Sequence, residues 1–173
     1  MRDIKLIVCD VDGVLTAGEI IYDNQGNELK KFNVKDGFGI KAAQYTGVKV
    51  GVITARESDV VHKRVEELGM KDYYHYLVHD KAIAVQKLAE TAGCSLEHTA
   101  FIGDDVIDMP AMKIVGFPIA VGDAVQEVKD LAKIITDAKG GKGAVREAIE
   151  KILKSQGTWH RVLENFGGIR KPL

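Results

Sequence analysis

The chain has little of what marks secreted, membrane-spanning and nucleic-acid-binding proteins. Its 173 residues include two cysteines, Cys9 and Cys94, too few for a disulfide framework. Its longest apolar runs are far shorter than a membrane span, and Met1 leads into a predicted strand without a signal-peptide core. The formal net charge of −1 excludes a bulk basic surface for nucleic acid or anionic lipid. These absences predict a cytoplasmic protein that binds neither nucleic acid nor membrane.

What is present is the composition of a globular α/β protein. Hydrophobic residues make up 46% of the chain and charged residues 28%, and the length suits one domain with a sizeable core. The sequence contains no internal repeat and no linker. We expect a single domain over residues 1–157, with a small β-hairpin flap at about 18–34, and a flexible C-terminal tail over 158–173.

The most informative stretch follows the first predicted strand. Residues 4–9 are almost entirely apolar, which is typical of a strand buried on both faces of a parallel sheet. Asp10 and Asp12 come next, and Gly13 lets the backbone turn away. Two carboxylates this close repel each other unless a cation or a shared proton compensates. The pair therefore suits a hard divalent metal and carboxylate chemistry, although a solvated Asp-Gly turn explains these residues alone equally well.

Strand and helix patterns then alternate along the chain. Strands are predicted at residues 48–53, 73–78, 99–102, 117–121 and 133–136, helices at 38–46, 59–68, 81–92, 111–115, 125–132 and 142–156, and a hairpin at 19–32. This alternation predicts βαβ units in a doubly wound, mostly parallel sheet. Right-handed crossovers bring the carboxyl ends of such strands to one edge. Asp10, Thr54 and Asp104, each just past a strand, are therefore expected to converge.

Four spaced motifs resemble those of the haloacid dehalogenase-like phosphatase superfamily. They are Asp10-Val11-Asp12-Gly13-Val14, Ile53-Thr54-Ala55, Lys81 and Gly103-Asp104-Asp105-Val106-Ile107-Asp108. With a small hairpin in place of a cap domain, the chain is similar to the capless branch that includes 3-deoxy-D-manno-octulosonate 8-phosphate phosphatases. The resemblance covers nearly the whole chain. It departs at Leu77-Val78, where members often carry a glycine, and at Ala55, where a glycine commonly follows the threonine.

The resemblance implies a catalytic role for four residues. Asp10 would be the nucleophile that forms an aspartyl-phosphate. Asp12 would protonate the leaving sugar alkoxide and later deprotonate water. Thr54 would bind the phosphoryl oxygens, and Lys81 would neutralise their charge.

A magnesium site is implied as well. Asp10, Asp104 and the backbone carbonyl of Asp12 would bind Mg²⁺, with Asp105 and Asp108 as supporting residues. The Asp104-Asp105-x-x-Asp108 run also reads as negative charge favoured at a helix N-terminus.

Substrate binding is assigned to residues near the second motif and to one later arginine. Thr54, Ala55, Arg56 and Lys81 would line the pocket. Arg56 and Arg146 are candidates for a substrate carboxylate, because a guanidinium binds one with two parallel hydrogen bonds. Each arginine also reads as an exposed helix charge.

The implied reaction is Mg²⁺-dependent hydrolysis of 3-deoxy-D-manno-octulosonate 8-phosphate, a step in lipopolysaccharide core synthesis. A nonulosonate 9-phosphate is the alternative substrate, since the reaction centre is the same. A catalytically silent oligomeric module and a phosphomutase or phosphotransferase stay open. The resemblance also implies a homotetramer in which a neighbour's hairpin and C-terminal tail close each site.

Overall fold

The core of the protein is a parallel sheet of six strands. The computed structural model describes residues 3–168. Its strands are β1 Leu6–Cys9, β2 Ile21–Tyr22, β3 Glu28–Leu29, β4 Lys49–Ile53, β5 Tyr74–His75, β6 Thr99–Gly103, β7 Phe117–Ala120 and β8 Ile134–Ile135. The sheet order is β5-β4-β1-β6-β7-β8 with every neighbour parallel, and β2 pairs with β3 as an antiparallel hairpin. The predicted doubly wound α/β fold is confirmed.

Helices cover both faces of this sheet. They are α1 Val34–Tyr45, α2 Asp59–Leu68, α3 Lys81–Ala92, α4 Met109–Ile114, α5 Gln126–Leu131, α6 Ala144–Ser155 and α7 Trp159–Gly167. Helix α1 packs on α2 and α6, and α6 on α7, whereas in the other layer α4 contacts both α3 and α5. Of the helices in residues 3–168, none combines the length and the apolar character needed to cross a bilayer.

The strand order places a ligand crevice beside β1. Along the chain the strands run outward from β1 to β4 and β5, and then restart on its other side with β6, β7 and β8. Open α/β sheets bind ligands at such a reversal, outside the carboxyl ends of the strands. Cys9 pairs with Ile102 of β6 and Val52 of β4, so the residues that follow these three strands meet at one edge.

Local capping explains why the helices begin close to this edge. The Asn33 side chain accepts a hydrogen bond from the Lys35 N–H and caps α1. Asp80 accepts from the N–H groups of Ala82 and Ile83 and so fixes the start of α3 at Lys81.

Two predicted boundaries are wrong by three or more residues, and one segment predicted as flexible is a helix. Helix α1 begins at Val34 rather than residue 38, because the Asn33 cap lies upstream of the apolar pattern. Strand β5 spans only Tyr74–His75 rather than 73–78, because the chain turns where Leu77 has a φ of +54°. The tail predicted as flexible from residue 158 instead forms α7 over Trp159–Gly167.

Helix α7 is held on the domain by its aromatic and apolar face. Trp159 and Val162 are buried, and the Phe166 ring lies edge-on to Phe38 at 5.4 Å and to Tyr45 at 5.3 Å between centroids. These apolar side chains recur at helical spacing, which indicates a helix, but the neighbouring glycines favoured an irregular segment. Residues 169–173 of the predicted tail lie outside the described residues.

Replacing Leu77 by glycine is expected to stabilise the protein by up to about 1 kcal/mol. A left-handed backbone costs a side-chain-bearing residue about 1–2 kcal/mol, and the extra chain entropy of glycine offsets roughly 0.5–1 kcal/mol of the gain. Leu77 is exposed, so little burial is lost. Urea unfolding measures the effect, with Leu77→Ala as the control that keeps the Cβ and the strain. A glycine variant less stable than the alanine variant contradicts the prediction.

Candidate active site

A tight turn directly after β1 sets the position of the first aspartate. The Asp10 N–H donates to the Ile102 carbonyl at 3.1 Å, which ties the residue to β6, and its side chain is buried. Residues Val11–Leu15 then form one wide helical turn, interrupted at Gly13, where φ is +91°. Glycine tolerates this left-handed conformation without the clash that a Cβ brings. The strand therefore ends abruptly and leaves the Asp10 carboxylate at the sheet edge.

A glycine pair from the far end of the chain packs against this turn. The Gly141 N–H donates to the Val14 carbonyl at 2.9 Å. A Cβ on Gly140 would lie 1.6 Å from the Gly13 carbonyl oxygen, so only glycine permits so close an approach. The Gly-Gly-Lys-Gly segment thus braces the turn that carries the aspartates.

A buried lysine links two of the predicted site carboxylates. The Lys81 Nζ lies 2.9 Å from Asp10 Oδ1 and donates to Asp108 Oδ1 at 2.6 Å, with the lysine only 3% exposed. Burial lowers the pKa of Lys81, but the facing charges of Asp10 and Asp108 outweigh it and raise that pKa above its ordinary value. Lys81 is therefore a fixed positive charge behind the Asp10 carboxylate.

Asp108 organises the loop after β6. Its Oδ1 is taken by Lys81, and its Oδ2 accepts from the Asp104 N–H at 2.9 Å. Asp105 is exposed and caps the short turn Val106–Asp108 by accepting from the Val106 N–H at 2.6 Å. Asp105 and Asp108 therefore shape the loop, and the Asp104 carboxylate is left to face Asp10.

Three carboxylates come close enough to share one cation. Oxygen atoms of Asp10, Asp104 and Asp108 all lie within 4.8 Å of one another. Among residues 3–168, the buried Asp104 Oδ1 has no hydrogen-bond partner. An unpaired buried carboxylate oxygen is costly unless a ligand binds it. The all-oxygen donor set and this orphaned atom fit a hard divalent cation such as Mg²⁺.

Asp10 and Asp104 of this cluster are shifted toward the protonated form. Burial and then the neighbouring Asp108 charge raise the pKa of Asp10 to about 7, although Lys81 opposes the shift. Burial and then Asp108 and Asp10 raise the pKa of Asp104 to about 8. The cluster therefore carries excess negative charge that one lysine does not compensate.

The pocket at this edge contains the second-motif residues as well. It has a volume of about 260 Å³ and is lined by Asp10, Asp12, Gly18, Thr54, Ala55, Arg56, Asp104, Asp105 and Ile107. Thr54 is buried, and its Oγ1 accepts from the Arg56 N–H at 3.2 Å, which leaves the hydroxyl proton free to donate. The predicted convergence of Asp10, Thr54 and Asp104 is present in this structure.

The chain is similar to several known proteins. A family model described as haloacid dehalogenase-like hydrolase matches residues 77–149. The 3-deoxy-D-manno-octulosonate 8-phosphate phosphatase of Yersinia pestis is 43% identical over 154 residues, which are 89% of this chain and 82% of that protein. The chain belongs to the haloacid dehalogenase-like phosphatases.

Two solved structures of these phosphatases superpose on it closely. The 3-deoxy-D-manno-octulosonate 8-phosphate phosphatase of Moraxella catarrhalis, in complex with magnesium, phosphate and the sugar acid, is 39% identical with a TM-score of 0.91, covering 95% of this chain and 94% of that one. The cobalt-bound form from Haemophilus influenzae is 40% identical with a TM-score of 0.87, covering 90% of this chain and 91% of that one.

One residue predicted for this phosphatase's pocket lies elsewhere. Arg146 is in α6, where its guanidinium stands 4.9 Å from the Phe38 ring centroid and 5.0 Å from that of Trp159. Its Nε donates to Glu150 Oε2 at 3.2 Å, and it is absent from the lining of the Asp10 pocket. Stacking between two aromatic rings holds this arginine in the helical layer, outside the Asp10 pocket, and its contact with a substrate carboxylate stays a prediction.

Two residues of this phosphatase that contact functional segments were not predicted. Asp36 is buried in α1 and accepts from the N–H groups of Gly143 and Arg146, so it caps the start of α6 beside the glycine segment. Lys30 of the hairpin donates to Asp12 Oδ1 at 2.5 Å. Both contacts join residues far apart in sequence, and no local sequence pattern predicts them.

The acidic cluster predicts how stability depends on pH. The pKa values of Asp10 and Asp104 in the fold exceed the unfolded value of about 4. Their contribution to stability is therefore fully present below pH 4 and is lost as pH rises through about 7 and 8. In EDTA, the Tm is expected to fall by a few degrees between pH 6 and pH 9, and excess Mg²⁺ to reverse the fall. Differential scanning calorimetry measures it; a Tm that rises over this range with EDTA contradicts the assignment.

Proposed function

We propose that this phosphatase hydrolyses 3-deoxy-D-manno-octulosonate 8-phosphate in a Mg²⁺-dependent reaction. The observation that carries the proposal is the single pocket in which Asp10, Asp12, Thr54 and Asp104 meet. The relatives of 39–43% identity described above support the choice of substrate.

Asp10 serves as the nucleophile in the proposed mechanism. Its Oδ1 faces Lys81 at 2.9 Å, which fixes the carboxylate and leaves the other oxygen for phosphorus. Attack forms an Asp10–phosphorus bond, and the ester oxygen departs with its electron pair. The Thr54 hydroxyl donates to a phosphoryl oxygen as charge develops there. Water then cleaves the acyl phosphate and regenerates the carboxylate.

Asp12 acts first as the general acid and then as the general base. It lies two residues after the nucleophile and lines the same pocket, with its side chain 28% exposed. It protonates the leaving alkoxide, a poor leaving group, and then takes a proton from the attacking water. Asp10 and Asp104, with the Asp12 backbone carbonyl, would hold Mg²⁺, which when bound supplies positive charge to the phosphoryl oxygens and the nucleophilic carboxylate.

Arg56 is the residue proposed for the sugar carboxylate. It lines the Asp10 pocket and also a neighbouring cavity of about 470 Å³ beside the hairpin. One of its terminal nitrogens donates to Glu28 Oε1 at 2.9 Å, and the side chain is 35% exposed. The remaining guanidinium donors can pair with a carboxylate in the bidentate manner.

Assembly as a homotetramer is part of the same proposal. The hairpin exposes the apolar side chains of Ile20, Tyr22 and Leu29. An exposed apolar patch on so small an element is typical of a surface that another protein chain covers. A neighbouring copy would bury them and shield the acyl phosphate from bulk water. Light scattering on eluted protein is expected to give the mass of four chains, and Ile20→Asp with Leu29→Asp to give smaller species. A wild type that elutes as one chain contradicts the tetramer.

The test of substrate is a comparison of kcat/KM for 3-deoxy-D-manno-octulosonate 8-phosphate and a nonulosonate 9-phosphate, both with Mg²⁺. A preference of about a hundredfold for the octulosonate, roughly 2.7 kcal/mol in transition-state binding, supports the proposal and a place in cytoplasmic lipopolysaccharide core synthesis. The reverse preference overturns the substrate and keeps the chemistry. Comparable slow rates on both overturn both substrates.

A further inference from the structure

The hairpin sends one charged side chain into the active site. Lys30 lies just past β3, and its side chain is only 2% exposed, although both neighbours along the strand are exposed. Its Nζ donates to Asp12 Oδ1 at 2.5 Å and lies 3.4 Å from Glu28 Oε1. A lysine buried this deeply needs carboxylate partners to offset the lost hydration, and these two supply them.

Asp12 has no other anchor in the part of the chain that the structure describes. Lys30 is the single hydrogen-bond partner found there for its carboxylate. Asp10, by contrast, is held by Lys81, and Asp108 by Lys81 and two backbone N–H groups. Without Lys30, the Asp12 side chain would be free to change rotamer.

The chemistry of a lysine ammonium makes this contact directional. An ammonium group donates three hydrogen bonds and accepts none, so the oxygen that it contacts must act as an acceptor. The contact occupies Oδ1, which leaves Oδ2 as the oxygen that can carry a proton toward the leaving group. Proton transfer in the transition state requires a heavy-atom distance near 2.6–3.2 Å and a fixed direction.

Glu28 holds the lysine in place. Its Oε1 lies near Lys30 and also accepts from Arg56, and its Oε2 accepts from the Ser58 hydroxyl at 2.5 Å. The carboxylate thus ties the hairpin to the loop after β4. The Lys30 head group therefore lies between the Glu28 carboxylate on one side and Asp12 Oδ1 on the other.

We propose that Lys30 is a positioning residue for the proton transfer, holding Asp12 Oδ1 so that Oδ2 faces the leaving-group oxygen. The inference rests on the proposed function of Asp12 as general acid. It assigns to the hairpin a role in the chemistry of its own subunit, besides any contact with a neighbouring copy.

The experiment compares two esters of similar shape, phenyl phosphate and p-nitrophenyl phosphate. Phenolate is the poorer leaving group and needs the proton from Asp12 more. We expect Lys30→Met to lower kcat/KM for phenyl phosphate at least about tenfold more than for p-nitrophenyl phosphate. Lys31→Met is the matched control, with the same change on the adjacent, exposed lysine, and is expected to leave both values and their ratio unchanged.

The ratio of the two kcat/KM values does not depend on the fraction of folded enzyme, so a partly unstable variant still tests the proposal. Equal losses on both esters, or no loss, overturn it and leave Lys30 with a structural role only.

Asp12→Asn is the reference: it should show the same selective loss, and adding Lys30→Met to it should not change the ratio further. If Asp12→Asn shows no selectivity, the proposed function of Asp12 fails as well; if only Lys30→Met lacks it, the inference about Lys30 fails alone.

Discussion

Replacing Asp10 by asparagine is expected to lower kcat on p-nitrophenyl phosphate with Mg²⁺ by about 10⁴-fold or more. Asparagine keeps the size and shape of the side chain, but its neutral amide is a poor nucleophile and forms no stable acyl phosphate. The reaction is followed by release of p-nitrophenolate, which reports hydrolysis whatever the physiological sugar is.

The same variant is expected to stay folded and to be at least as stable as the wild type in EDTA at pH 8. Asp10 and Asp104 ionise unfavourably in the apo site, because burial and their neighbours raise their pKa values to about 7 and 8. Removing one carboxylate leaves Lys81 paired with Asp108 at 2.6 Å and relieves the repulsion. Lost activity with retained stability is the signature of a functional group, since function and stability trade off at such sites.

Asp80→Asn is the matched control for the nucleophile. Asp80 caps α3 immediately before Lys81, and asparagine caps a helix about as well as aspartate does. We expect its turnover to stay within about twofold of the wild type. Wild-type turnover in the Asp10→Asn enzyme would show that Asp10 is not the nucleophile.

The elements around the sheet edge were predictable because their signals are local. The apolar run before Asp10 and the glycine after the second aspartate mark a buried strand and its turn within ten residues. Asp80 before Lys81 marks a helix start in the same way. Right-handed crossovers then bring such strand ends together without any knowledge of side-chain contacts.

The contacts that sequence could not predict join distant segments. Asp36 caps a helix that begins more than a hundred residues later in the chain. Lys30 reaches Asp12 because the hairpin folds back over the sheet edge, which depends on the angle of a two-stranded element. The Arg146 guanidinium packs against the aromatic rings of Phe38 and Trp159. Only the packing of α7 on the domain brings these two rings together.

Substituting alanine for Gly13 is expected to weaken Mg²⁺ binding by about 100-fold and to reduce turnover in proportion. The Gly13 φ is +91°, and a Cβ there would lie 2.0 Å from Asp104 Oδ2 and 2.5 Å from its Cγ. The Asp104 carboxylate would therefore have to leave its present position beside Gly13. Isothermal titration with Mg²⁺ measures the affinity in the absence of any substrate.

Gly47→Ala separates backbone strain from the displaced carboxylate. Gly47 has a φ of +92°, almost the same as Gly13, but a Cβ there would meet nothing within 4 Å. Both alanine variants should lose about 1–2 kcal/mol from the left-handed backbone, since that cost depends on φ alone. Only Gly13→Ala should also lose Mg²⁺ affinity. If both variants bind Mg²⁺ as the wild type does, the position of the Asp104 carboxylate is irrelevant to the metal, and the cation must be bound by other residues.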